Sequence, residues 1–181
     1  GSETVVEIAR QATAVLVVHD DDVTGRDFRL RRSADEPLPT VLVPVDFGPA
    51  TGAALRWIRT LAATGPLDLH LLHALPTVAT LARAALRGRA PADLADEAAA
   101  RLRALVPEDH AGRWTCSVEW GSPAEVIVTY ADRLGPDLVV IGQHTPTPWR
   151  QLASGDTTRA VLHRAWCPVL VVPGGGATQP G

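Results

Sequence analysis

The chain has 181 residues and a formal net charge of −3, with 46% hydrophobic and 20% charged residues and a mean hydropathy of +0.07. These values fit one globular domain with a hydrophobic core and room for a small appendage, and they exclude wholesale disorder. They point away from an electrostatic nucleic-acid binder, and no uncharged apolar run approaches the ~20 residues of a membrane span.

Residues 1–20 read GSETVVEIARQATAVLVVHD, a helix-prone stretch followed by the apolar run Val15 to Val18. A polar stretch from about Asp21 to Leu38 reads as a linker. From Pro39 onward strand and helix signals alternate. Thr40 to Val45 is a short β-branched run closed by Asp46 and Gly48, as in a strand buried on both faces. Pro44 lacks a ladder N–H, which places it at the strand end or at a locally unpaired position. Ala50 to Leu61 is a helix with Ala54, Ile58 and Leu61 on one face, stopped by Gly65-Pro66. Leu67 to Ala74 is the second strand, followed by a broken helical region around Ala79 to Arg87.

Pro91 opens a further helix that carries Leu94, Ala98, Leu102 and Leu105 along one face. Trp114 to Glu119 is the third strand. Ser122-Pro123-Ala124-Glu125 predicts a capping box, with the Ser122 hydroxyl accepting an exposed N–H and Glu125 reaching back. Val126, Ile127, Tyr130 and Leu134 form the apolar stripe behind it, and Gly135-Pro136 ends the helix. Leu138 to Gly142 is the strongest strand signal. After a Pro-rich loop a helix runs from Asp156 through Ala165, and Cys167 to Pro173 is the last strand, with a Gly-rich tail over residues 174–181. This order predicts an α/β fold: a five-stranded, mostly parallel sheet with helices on both faces, plus an extra N-terminal helix and strand. Ligands of such sheets sit beyond the carboxyl ends of the strands at the switch point, which selects Asp46, Ala74 and Gly142 with the loop after it.

Two segments align without a gap. Residues 1–20 match residues 155–174 at Gly1/Gly155, Thr4/Thr158, Arg10/Arg164 and across Val15 to Val18 against Val169 to Val172. The N-terminus therefore reads as a partial copy of the last helix and strand. The two cysteines, Cys116 and Cys167, lie in no CxxC pair and at no metal-ligand spacing, and both read as small buried apolar residues. With no basic leader at the N-terminus, the expectation is a reduced, cytoplasmic protein without a metal.

Val43-Pro44-Val45-Asp46-Phe47, the spaced glycines after the fourth strand and the closing Cys167-Pro168-Val169-Leu170-Val171-Val172 resemble the universal stress protein family. The resemblance covers residues 39–173 as a complete domain and residues 1–20 in part. It implies the adenine nucleotide alpha hydrolase-like fold, found in dimers or tandem pseudo-dimers whose last strands commonly pair. One branch of the family binds ATP and another does not. In binding members the aspartate ending the first strand contacts adenosine, here Asp46 followed by Phe47. Backbone near Ala74 holds the base, and a Gly-x2-Gly-x9-Gly-Ser/Thr motif wraps the phosphates.

Gly142 and Gly155 occupy the outer glycine positions, but Thr145 stands at the second glycine and Asp156 at the Ser/Thr, with Thr157 following. A β-branched Thr resists the positive φ and close approach that glycine allows. A carboxylate at a helix N-terminus fills an anion site from within and repels phosphate. Pro146 and Pro148 remove two more loop N–H donors. Asp46 has a second reading, a strand-end acid that caps its own turn. His144 lies in the motif loop, either as a ligand contact or as a solvated side chain.

These features lead to two expectations. One is a non-catalytic stress-response and interaction module with a degenerate nucleotide pocket and no required cofactor, self-associating through Val169 to Val172 with Val15 to Val18 as an internal alternative. The other is an adenine-nucleotide binder for ATP or AMP, with slow ATP turnover. Gly1-Ser2 stands where the family motif has its final Gly-Ser, one helix ahead of a Val-Leu-Val-Val strand. The expectation is the tail of a first repeat, a linker and one complete repeat.

Overall fold

The computed structural model describes residues 14–17, 37–75, 81–82, 85–108, 112–143 and 156–174. The elements in chain order are β1 (Val15–Val17), β2 (Thr40–Pro44), α1 (Pro49–Ala62), β3 (Leu67–Leu75), α2 (Pro91–Arg103), β4 (Gly112–Trp120), α3 (Pro123–Leu134), β5 (Leu138–Gln143), α4 (Asp156–Arg164) and β6 (Val169–Pro173). The strands form one sheet in the order β1-β6-β5-β2-β3-β4. Five of them are parallel, and β1 runs antiparallel to β6. The expected five-stranded parallel sheet is present, with one strand added at its end. The predicted N-terminal helix and residues 175–181 of the tail lie outside the described residues.

The apolar runs become strands because both faces of the sheet are covered. Val41, Val43, Leu69, Leu71, Val140 and Leu170 pack in one core with Ala54 and Ile58 of α1 and Leu102 of α2. On the other face Leu42, Leu72, Val139, Ile141 and Val169 pack with Ile127 and Ala131 of α3 and Val161 of α4. Each such Val, Leu or Ile side chain fully removed from water contributes roughly 1.5–3 kcal/mol. The two cores use alternate residues of each strand, so a register slip by one would exchange them.

Local chemistry sets the boundaries. Pro44 is the last residue of β2, where its missing N–H costs no ladder bond. Gly135 ends α3 in the left-handed conformation (φ 67°, ψ 50°), and its N–H donates to the Ala131 carbonyl. Ser122 does sit at the N-cap of α3, but its side chain makes no cap hydrogen bond. The predicted capping box is corrected here: Glu125 lies 3.8 Å from Arg164 at the end of α4 instead. Asp93 does reach back to its N-cap position in α2, accepting the Ala90 N–H at 3.0 Å. At the amino end of the sheet, the Thr40 N–H donates to Asp137 Oδ2 at 2.8 Å and the Asp137 N–H to the Thr40 carbonyl at 2.8 Å.

Cys167 is buried, and burial pushes its thiol up to about 11. Cys116 is only half-buried, on β4, with its thiol also raised by burial. Thiols held protonated in this way are poor nucleophiles. Among the described residues no group of three or more His, Cys, Asp or Glu side chains could hold a metal ion, and no helix is long and apolar enough to cross a membrane.

Candidate functional site at the strand ends

β2 is flanked by β3 on one side and β5 on the other. The connection from β2 packs α1 on one face, and the connection from β5 packs α4 on the opposite face. The chain therefore diverges between β2 and β5, where a parallel sheet opens a crevice at its carboxyl end. Asp46, Phe47, Ala74 and Gly142 lie at these strand ends, as the sequence predicts.

Asp46 closes its own turn. The Gly48 N–H (2.8 Å) and the Thr51 hydroxyl (2.7 Å) both donate to Asp46 Oδ1, while the Asp46 N–H donates to Thr51 Oγ1 (3.1 Å). Asp46 thereby takes up the N–H of Gly48, the N-cap of α1, which has no side chain of its own to cap the helix. Asp46 itself is exposed.

Phe47 follows with φ 61°, a left-handed conformation that costs roughly 1–2 kcal/mol for a side chain of this size. Such backbone persists only where its surroundings fix it. The His73 ring centroid lies 4.5 Å from that of Phe47, and the Arg101 guanidinium sits 3.9 Å from the ring centroid. His73 is held in turn, because its Nδ1 lies 2.7 Å from the Val45 carbonyl. A carbonyl only accepts, so Nδ1 carries the proton. Residues from β3 and α2 thus clamp the ring that ends the β2 turn. Neither His73 nor Arg101 was indicated by motif. The available signal was weak: a polar residue near the carboxyl end of β3, a strand that also carries Asp68 and His70.

Gly142 has a packing reason to be glycine. A Cβ there would lie 2.1 Å from the Ala50 carbonyl oxygen and 3.0 Å from the Ala50 Cβ. The first turn of α1 rests directly on the β5 backbone. Gly174 closes the same corner by donating its N–H to the Gln143 carbonyl. Asp156 and Thr157 open α4, with Thr157 half-buried. His144, Thr145 and Gly155 lie outside the described residues.

A surface cavity of about 240 Å³ lies elsewhere, at the carboxyl end of β4 and the start of α3. Glu119, Trp120, Ser122, Glu125 and Arg133 are among its lining residues, and among the described residues none of the predicted site residues lines it. A polar cluster occupies the β3–β4 side of the sheet. The Tyr130 hydroxyl lies 2.9 Å from Ser117 Oγ and 3.3 Å from His70 Nδ1, and His70 Nε2 lies 3.5 Å from Asp68 Oδ1. Burial holds the His70 imidazole below its ordinary range, against the upward pull of Asp68 and with a smaller downward push from Arg113.

A parallel sheet covered on both faces, with an acid after its first parallel strand and glycine near the end of β5, defines a doubly wound α/β protein. The universal stress protein family model matches residues 38–173, and the chain belongs to that family. Universal stress protein G of Escherichia coli O157:H7 is 34% identical over 140 residues, covering 74% of this chain and 97% of that protein. Two solved structures show the same fold. A universal stress protein in complex with cAMP has a TM-score of 0.52 and 22% identity, covering 77% of this chain and all of that one (100%). A universal stress protein family protein from Arabidopsis thaliana with AMP bound has a TM-score of 0.52 and 19% identity, covering 79% and 97%.

Proposed function

We propose that this protein is a non-catalytic stress-response module that carries a degenerate nucleotide pocket and associates with copies of itself at the β6 end of the sheet. The observation that carries the degenerate pocket is the Asp46–Phe47 turn. One carboxylate oxygen of Asp46 holds the Gly48 N–H and the Thr51 hydroxyl, and Phe47 is clamped by His73 and Arg101. Both residues have packing roles that need no ligand. Departures at Thr145 and Asp156 add to this, since a carboxylate at the first residue of α4 opposes phosphate at that helix end.

The second reading is an adenine-nucleotide binder. It is favoured by the AMP and cAMP held by the two relatives of the same fold and by Asp46 and Gly142 lying at the switch point. Thermal unfolding with ATP and AMP, each with and without Mg²⁺, separates the two. A ligand of the folded state stabilises it by about 2.7 kcal/mol at a hundredfold excess over Kd, so Tm rises with ligand concentration. The degenerate pocket predicts no rise at millimolar nucleotide, and a rise in the Thr145→Gly/Asp156→Ser double variant. A dose-dependent rise in the parent chain overturns it in favour of the second reading.

A further inference from the structure

Helix α1 differs from the other helices in its charge. Its sequence, PATGAALRWIRTLA, holds two arginines and no acid, whereas α2, α3 and α4 each carry at least one. Arginines elsewhere meet carboxylates: Arg89 pairs with Glu97, Arg113 with Asp68 and Arg133 with Glu119. Among the described residues neither Arg56 nor Arg59 forms an ion pair. At about 3.6 residues per turn, Arg56 and Thr60 lie on the crest of α1, opposite buried Ile58, with Trp57 on one shoulder and Arg59 on the other. Trp57 is 38% exposed. Arg56 Nη1 lies 3.7 Å from where a Cβ at Gly52 would stand, so the guanidinium rests back along the helix over bare glycine backbone. A cation in the last turn complements the helix dipole, which accounts for Arg59. It accounts neither for Arg56, nearly a turn earlier, nor for the indole beside it.

We infer that the outer face of α1 is a docking surface for an acidic segment of a partner protein, with Trp57 as the apolar anchor and Arg56 and Arg59 taking its carboxylates. Tryptophan and arginine are the side chains that most often carry binding energy at protein interfaces. A guanidinium fork matches a carboxylate geometrically, and here no carboxylate of the helix competes for it. The formal net charge of −3 does not oppose an acidic partner. Exposed charges are screened beyond about 8 Å at physiological ionic strength, so the local patch decides at contact. Nucleic acid fits less well, because binding through its backbone draws on many phosphate contacts and α1 offers two arginines. The surface is also separate from the strand-end crevice. Arg56 lies roughly 10 Å along the helix from Pro49, so the inference draws on neither the nucleotide reading nor the self-association reading above.

The test uses the full chain and a fluorescein-labelled oligo-glutamate peptide, read by anisotropy at low ionic strength. The parent chain should bind the peptide, and binding should weaken as salt is added. Arg56→Gln/Arg59→Gln removes both charges and keeps helix propensity. It should bind about tenfold more weakly, and so should Trp57→Ala. Arg113→Gln/Arg133→Gln removes the same charge on the α3 side of the sheet and should change Kd by less than about twofold. No binding by the parent chain, or equal losses in the two double variants, overturns the inference. Tighter binding of a labelled oligothymidylate than of the peptide, lost in the α1 double variant, overturns it in favour of nucleic acid. Self-association of the parent chain in sedimentation, lost in the same variant, overturns it in favour of a second copy. Should Trp57→Ala lose its cooperative thermal transition, the two double variants, which change only exposed side chains, carry the same outcomes.

Discussion

The two ends of the sheet are built on opposite plans. At the β5–β6 end every strand residue but Gly142 and Pro173 is buried, Val169 and Val171 are 0% and 1% exposed, and a further strand covers the edge. At the β3–β4 end the outer strand β4 has no buried residue, and Ser117 of β4 joins His70 and Asp68 of β3 and Tyr130 of α3 in a polar cluster. Apolar edges need cover, whereas polar, half-exposed edges discourage further pairing by themselves. The difference shows that one sheet can protect one edge by occupancy and the other by composition. Close packing should make the first end intolerant of added atoms, and the hydrogen-bonded cluster should make the second tolerant but sensitive to pH.

The largest expected effect is at the apolar end. Gly142→Ala would push a methyl group into the Ala50 backbone, which can yield only by moving α1. We expect a loss of about 3 kcal/mol in urea unfolding. A loss below 1 kcal/mol would mean that α1 is not seated on β5 as described. Tyr130→Phe comes next. It removes the hydroxyl shared by Ser117 and His70 while keeping the ring, and should cost about 1 kcal/mol. A cost equal to that of Gly142→Ala would erase the contrast between the two ends.

The smallest effect is the pH dependence of His70. Its folded pKa is lowered by burial, so the unfolded chain takes up the proton first as pH falls. Stability is then fully present above the unfolded value of about 6.5, declines as pH drops below it, and levels off once the folded imidazole also titrates. Comparing urea midpoints at pH 7.5 and 5.5, the parent chain should lose more stability than His70→Gln. The groups facing the ring are Asp68, Arg113 and Tyr130. Equal losses in the two chains would show that Asp68 offsets the burial.

Much of this fold is legible in the sequence because strands covered on both faces must be apolar runs. Val41 to Val43, Leu138 to Ile141 and Val169 to Val172 have no other plausible burial pattern. The strand ends were legible for the same reason, since Pro44, Asp46 and Gly142 mark where the runs stop. What the residues there do was not legible. Asp46 supports a ligand reading and a turn-cap reading equally until Gly48 and Thr51 are seen donating to it. The clamp on Phe47 joins residues from three elements, β2's turn, β3 and α2, and no local pattern encodes such a meeting. Ser122 shows the reverse case. Its position as N-cap follows from sequence, yet Glu125 turns to Arg164, a partner from another helix.

The paired hydrogen bonds between Thr40 and Asp137 join residues 97 positions apart. Their consequence is one of timing. On a chain emerging from synthesis, β2, β3 and β4 can pair in sequence as each appears. The crevice between β2 and β5 cannot exist until residues 138–143 have been made, and the edge that β1 and β6 share comes later still. Of the described strands β1 comes first and waits longest for its neighbour, and the candidate site is completed only once β5 has been made.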